Sequence, residues 1–483
     1  MKTTWFIFIG FVLSFSSLYA QELSLKDAVK RAGESNLAIQ SQKKAEEIVH
    51  YETNASKRLY LPSLSLLGGY THLSNPLEID LSQVQGSVIE GMSTQNVSTL
   101  DHVYTNIVGT PLTQIEKETI YLKTKTTLEN NYPEWNVEIS PQDYFTANLV
   151  LKQPIFLGGS LFNTGSIGEA NYRKAKIVTE QVNNSVTQKV VNSYLEIILL
   201  SQVEESRKRN LEAVEKHLFN AEKLTEQGII PAYQLYGAKA AVSKAKALLK
   251  VSINNRENGL LTLKVLLDFP MDTTIQLTST WKDIMLSPDK KSIQKNVQDY
   301  SPILRMNHEN LHIANSALNS RKAEFLPTIF ALGELQLYQR NLPVTTAPWM
   351  IGAQMKWDIF NGTRTFTRMK ASQLSLQEVS LNNQMVSKEL DLLTSKLYTD
   401  AMNAFEMYQA QKNTVLLMDQ ALSAITKEFS HGLVRSVEVL DAQSSLDESR
   451  IAESTYLYAY YLALIELYKM EGRLDEFISN FEE

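Results

Sequence analysis

Two stretches of this chain repeat two others at a fixed distance, and that register restricts the fold more than composition does. "LKQPIFLGG" (151–159) lies over "MKWDIFNGT" (355–363), and "EQGIIPAYQLYGAK" (226–239) over "SHGLVRSVEVLDAQ" (430–443). Both pairs keep an offset of 204. Earlier pairs, "KRLYLPSLSLLGGY" (57–70) over "KAEFLPTIFALGEL" (322–335) and "SNLAIQ" (35–40) over "YSPILR" (300–305), keep an offset of 265. Self-similarity at a fixed spacing marks copied structural units. The two halves therefore read as copies, and the difference of 61 residues as an insertion in the first, between about 75 and 140. That stretch contains "NPLEID", "QGSVIEGMSTQNVST" and "NNYPEWN", and its polarity predicts a long surface loop.

Each copy runs helix, two strands, very long helix, turn, shorter helix. Segments 24–60 and 292–324 predict helices that stop before a Leu-Pro pair, because the residue before proline is pushed out of helical backbone. Segments 160–227 and 363–430 contain no proline, with glycine only near their ends. In the second, Val386, Leu390, Leu393, Leu397 and Ala404 keep three-four spacing. At 1.5 Å per residue each helix is about 100 Å long. Globular helices rarely reach a third of that. The first copy's helices at 24–60 and 234–266, stacked end to end, match one long helix in residue number, as a hollow cylinder of uniform length requires.

The strands alternate with period two. In "PWMIGAQMKWDIF", Trp349, Ile351, Ala353, Met355 and Trp357 fall on one face, and Gly352, Gln354, Lys356 and Asp358 on the other. In "YFTANLVLKQP", Phe145, Ala147, Leu149 and Leu151 oppose Thr146, Asn148 and Lys152. An apolar face ending in Trp, backed by a polar one, fits a lipid-facing barrel strand with a wet lumen. One such strand alone fits a soluble sheet equally well. The N-terminus weighs for the membrane. Lys2, the apolar run Trp5–Leu13 and the small-residue exit Ser14–Ala20 have the layout of a secretory signal peptide over 1–20.

No run of about 18 apolar residues follows residue 20, so any crossing of a bilayer has to be a closed β-barrel. Four strands are too few, since single-chain bacterial barrels start at about eight. Copies of the chain must share one sheet, and three give twelve strands. The chain has no cysteine, which excludes a disulfide framework, a thiolate metal site and a lipid attached through a cysteine thioether. Its formal charge of -6 argues against a nucleic-acid partner.

"FSHGLVRSVEVLDAQSSL" (429–446), "YLYAYYLALIELYKMEGRL" (456–474), "LTEQGIIPAYQLYGAKAAV" in the first copy and "QPIFLGG" together resemble the TolC-like outer-membrane efflux protein family. The resemblance covers the whole chain after residue 20. It implies a homotrimer with a twelve-stranded outer-membrane barrel in lipid, continued by a periplasmic α-helical tunnel with a mixed belt at its waist. It also implies two partners, a periplasmic adaptor and an inner-membrane transporter that supplies energy. By position, the adaptor-docking tips are Gly228, Ile229 and Ile230 in the first copy and Gly432, Leu433 and Val434 in the second. The gate position falls on Glu438 and Asp441, with Phe429 where a tyrosine often stands and Gln234 where some members have an aspartate. Val434 stands where some members carry an arginine, with Arg435 adjacent. Glu438 and Asp441 are three apart and share a helix face. In a trimer they form stacked acidic rings that favour cations.

One motif points elsewhere. "HENLH" (308–312) has the H-E-x-x-H form that sets two imidazoles and a carboxylate on one helical turn for zinc. At the offset of 265, His308, Glu309 and His312 fall over Lys43, Lys44 and Glu47, so the first copy carries unrelated side chains there. A catalytic zinc also needs a third ligand; the nearest later glutamates, Glu324 and Glu334, fall at a helix end and in a strand.

The sequence therefore predicts a mixed α+β chain, part barrel and part helical tunnel, divided as follows: signal peptide 1–20, first repeat 21–266, equatorial linker 267–291, second repeat 292–471, and tail 472–483 near the belt. The expected function is a passive exit duct with no catalysis, metal or cofactor. The alternatives are the outlet of a type I secretion system and a periplasmic coiled-coil scaffold.

Overall fold

A computed structural model describes residues 21–282, 284, 289–342 and 347–482. The expected signal peptide, part of the linker and the final residue lie outside them. In chain order the elements are β1 (Gln21–Leu23), α1 (Leu25–Ser35), α2 (Leu37–Lys57), β2 (Ser63–His72), β3 (Leu77–Asp80), α3 (Ser82–Val108), α4 (Gln114–Asn131), β4 (Asn136–Ser140), β5 (Asp143–Leu157), α5 (Ser160–Glu226) and α6 (Ala232–Leu266). There follow β6 (Ile275–Leu277), α7 (Lys290–Tyr300), α8 (Pro302–Ala323), β7 (Thr328–Arg340), β8 (Trp349–Lys356), α9 (Arg364–Ser430), α10 (Ser436–Met470) and α11 (Leu474–Glu482). Two compact units form: residues up to 57, 162–322 and from 363 onward in one, 58–161 and 323–362 in the other.

In the helical unit, α5 and α9 have 67 residues each, and α6 and α10 have 35 each. All four boundaries obey the offset of 204. The helices expected over 24–60 and 292–324 are each broken in two. Asn36 leaves helical backbone at ψ 123°, accepts from the Ala38 N–H at 3.0 Å and donates to the Leu266 carbonyl at 3.2 Å. Its side chain thus caps the new helix and ties it to the end of α6. The second break falls at Ser301, ahead of Pro302, which suits a first helical position because it has no N–H to leave unpaired.

The main core of this unit gathers the start, middle and end of the chain. Leu25, Tyr194, Leu263, Tyr461, Leu464, Phe477 and Phe481 are fully or almost fully buried. β1 lies parallel to β6. Trp281 stacks on Tyr461 with ring centroids 5.1 Å apart. The Glu482 carboxylate accepts from the Leu25 N–H and the Ser279 hydroxyl, both at 2.8 Å. A carboxylate at a helix N-terminus meets its unpaired N–H groups and its dipole.

The second unit is a four-stranded antiparallel sheet in the order β2-β5-β7-β8. Its register aligns Leu64, Leu151, Gly333 and Ile351 across all four strands, and Leu66, Leu149, Leu335 and Trp349 beside them. This face is apolar and exposed: Leu66 is 67 % accessible and Ile351 80 %. The opposite face carries Asn148, which donates to Glu334 at 2.6 Å, and Lys152, whose ammonium lies 4.2 Å from the Phe330 ring centre. β2 and β8 are the sheet's edges. Gly158, just past the end of β5, has φ of +63°; a Cβ there would meet the Ala323 carbonyl, so only glycine fits.

The stretch expected as a loop, 75–140, is instead ordered. β3 and β4 form a ribbon, and α3 and α4 form a helical hairpin upon it. The signals were short ones: Gly109 in left-handed backbone ends α3, and Thr113 and Glu116 make a reciprocal capping box for α4.

Phe477→Ala removes a ring that is 0 % exposed in this core. The expected loss is about 3–5 kcal/mol, read as a lower unfolding midpoint in detergent. An unchanged midpoint contradicts the packing described.

Candidate functional site: the paired helix tips

The ends of α5 and α9 turn back through matching loops. At the first, the Gly228 N–H donates to the Thr225 carbonyl at 3.0 Å and the Ile229 N–H to the Leu224 carbonyl at 2.8 Å. At the second, Gly432 donates to Phe429 at 2.9 Å and Leu433 to Glu428 at 3.1 Å. These are Schellman closures, which need positive φ at the glycine; the values are +70° and +73°. The tips touch: a Cβ on Gly432 would lie 3.1 Å from Ile229 Cγ2.

The predicted docking residues divide by burial. Ile230 is 6 % exposed and joins Ala221, Ala238, Phe429 and Val439 in a small core. Val434 is partly buried against the same cluster. Ile229 and Leu433 are exposed, and so are Tyr233, Tyr236 and Val437, which the sequence reading did not single out. The Tyr pair, three apart on the first turns of α6, was the available signal. A groove of about 180 Å³ runs between Tyr233, Gln234 and Gly237 on one side and Arg435, Ser436, Val437 and Leu440 on the other.

The predicted gate residues do not act alike. Phe429 is 1 % exposed, with its ring 4.6 Å from that of His217. It is a core side chain of the tip, because an apolar ring at a helix end is stabilised more by burial than by water. Glu438 bonds Arg435 twice, accepting from its Nε at 3.1 Å and from its backbone N–H at 3.4 Å. It thereby fixes the start of α10. Asp441 is exposed and carries no ion pair among the described residues. Gln234 Oε1 accepts the Ser436 N–H at 3.0 Å, joining one tip to the other.

The second bond of that seam was not legible in the sequence. His217 Nε2, on α5, lies 2.7 Å from the Ser436 hydroxyl on α10. His217 is 5 % exposed, and its Nδ1 has no partner among the described residues. Beside it is a cavity of about 140 Å³, lined by Lys216, Asn220, Thr426 and Gln443 among others and by no carboxylate. Burial without a counter-charge lowers the imidazole pKa to about 4. Further along the same helix pair, the buried Asp447 accepts from Ser206 at 2.8 Å and pairs with Arg207.

The HENLH residues lie on α8. Glu309 is held by Arg173 of α5, with Nε and Nη2 each 2.8 Å from its two oxygens. Its carboxylate is thus engaged in helix packing, and among the described residues no three His, Cys, Asp or Glu side chains gather as a metal site.

With this geometry described, comparison with known proteins gives the class. The model of the outer membrane efflux protein family matches residues 119–267 and 295–473, more than half of the chain, and the chain belongs to that family. Among solved structures it is similar to CusC, whose crystal structures concern transmembrane channel formation, at 14 % identity over 92 % of this chain and 91 % of that one, TM-score 0.70. It is also similar to the CmeC outer membrane channel of Campylobacter jejuni, at 14 % identity over 93 % and 86 % of the chains, TM-score 0.65. For the outer membrane protein VceC of Vibrio cholerae the figures are 14 % identity, 92 % and 96 %, and TM-score 0.67. No curated protein matches the chain.

A histidine depressed to about 4 from an unfolded value near 6.5 leaves the seam unaffected above pH 6.5. As pH falls from 6.5 towards 4, a locally unfolded tip takes up a proton that the packed tip refuses. The packed tip is then disfavoured by up to about 3 kcal/mol. Hydrogen exchange at Ser436 and Leu433, corrected for intrinsic rate, should therefore quicken below pH 6.5, and His217→Gln should remove the dependence. Equal protection at pH 7 and pH 5 counts against it.

Proposed function

We propose that this protein is the outer-membrane exit duct of a tripartite efflux pump: a homotrimer that extends into the periplasm and opens at its helix tips when an adaptor docks. The observation that carries the reading is the sheet. Its apolar face is exposed along four strands, and both its edges are open. In water such a face and such edges invite aggregation. In lipid the face is matched, and β8 of one copy pairing with β2 of the next leaves no backbone group unpaired. Three copies make twelve strands, within the range of bacterial barrels.

The tips support the adaptor. Ile229, Leu433, Tyr233, Tyr236 and Val437 set apolar and aromatic surface around a groove, the composition of a protein-docking site. Docking there bears directly on Gln234 and Ser436, whose bond joins the tips. Asp441, without an ion pair among the described residues, and Glu438, half engaged by Arg435, supply the acidic constriction; cations are favoured and anions repelled. An inner-membrane transporter supplies the energy, and the duct itself catalyses nothing.

The native mass of protein extracted from outer membranes, less its detergent, should equal three protomers; a monomer sinks the duct. In planar bilayers, Glu438→Ala with Asp441→Ala should lower the preference for cations. Unchanged selectivity removes the gate role from these two residues while leaving the trimer standing.

A further inference from the structure

The α3–α4 hairpin has no task in the duct as described. It leaves the sheet by the β3–β4 ribbon, at the end that bears His72 and Asp143, opposite Ser63 and Lys152. α3 packs Ile89 and Ser93 against α4; these residues are 4 % and 0 % exposed. On the second half of α3, at three-four spacing, lie Leu100, Val103, Tyr104, Ile107 and Val108, all exposed. The opposite side of the same turns carries Ser98, His102 and Asn106. Over these turns the apolar surface is thus confined to one side of the helix.

Charge indicates what covers it. The acidic and basic residues of α3 are Glu90, Asp101 and, on the polar side, His102, with no Lys or Arg in 27 positions. Both acids are neutralised within the hairpin, Glu90 by Lys125 at 3.3 Å and Asp101 by Lys117 at 2.6 Å. The apolar flank therefore offers no charge to a charged partner. Identical flanks can meet without like-charge repulsion, and burying them is favourable. α4, with six charged residues in 18, is the wet side. A shared barrel, on which this inference rests, brings copies of the hairpin around one axis at one end of the sheet.

We propose that the apolar flank of α3 is an interface with the hairpin of a second copy of this chain, and that the assembled hairpins close a helical cap at that end of the sheet. The cap restricts the opening that the barrel alone leaves free.

The absence of cysteine makes the test direct, because one introduced thiol carries a photoreactive benzophenone at a known place. Leu100→Cys and Tyr104→Cys probe the apolar flank; Ser98→Cys and Asn106→Cys probe the polar one. Labelled outer membranes are irradiated and run on a denaturing gel, and the native mass is taken from the same samples. The expected result is a two-chain adduct from positions 100 and 104 that is lost at 98 and 106. Replacing 82–131 by a short turn should raise single-channel conductance. A trimer that gives no two-chain adduct, equal adducts on both flanks, or adducts to lipopolysaccharide or another protein overturns the cap and leaves the duct intact. A monomer overturns the duct first, and the cap with it.

Discussion

Backbone hydrogen bonding at the edges of the sheet is the constraint on which the rest depends. Among the described residues, four strands pair with one another and leave β2 and β8 each with one side unpaired. With the apolar face open as well, a single copy is incomplete as a membrane object. On the proposed reading, symmetry follows from this shortage, since only further copies supply matching edges. A heterologous contact closes into a ring only when its rotation divides a full turn. The repeated tips and the acidic residues of α10 then stand in rings too.

Much of this was legible because it is written at long range and without ambiguity. Two proline-free segments of matching length at a constant offset predicted α5 and α9 to within a residue at each end. The strands were legible because a two-residue period survives wherever one face is apolar and the other polar. The insertion was misread because polarity was taken for looseness. Its helices bury only a narrow row, Ile89 and Ser93, so no wide apolar stripe stands out. The broken entry helices were missed for a smaller reason: Asn36 interrupts the chain by bonds to residues on either side of it in space, one of them 230 positions away.

At the tips the sequence located the turns and did not name the bonds that fasten them. Glycine at the same place in both copies was a clear sign, because positive φ is expensive for other residues. Resemblance placed Phe429 and Gln234 together at a gate; within one chain their contacts differ. One fills the core, and the other crosses to Ser436. His217 and Ser436 are 219 residues apart, and no local pattern announces such a pair. Gln234 is the counterpart of Glu438 at the offset of 204, yet the first reaches across the seam while the second folds back on Arg435. Duplicated backbones have thus diverged in how their ends are fastened.

The core that holds Glu482 against Leu25 has a consequence for the order in which the chain can mature. Glu482 lies 457 positions after Leu25 and, with Phe477 and Phe481, completes the seat of α1. Until that stretch is made, α1 has its local Ser24 cap but neither the Glu482 carboxylate nor the aromatic floor. The segment around α1 must wait, unpacked, for these residues to arrive. Completion of this core is therefore a late event that reports a chain made at least as far as Glu482. A chain cut short before Phe477 presents an open core to quality control, with α5, α6, α9, α10 and every strand of the sheet already in its sequence.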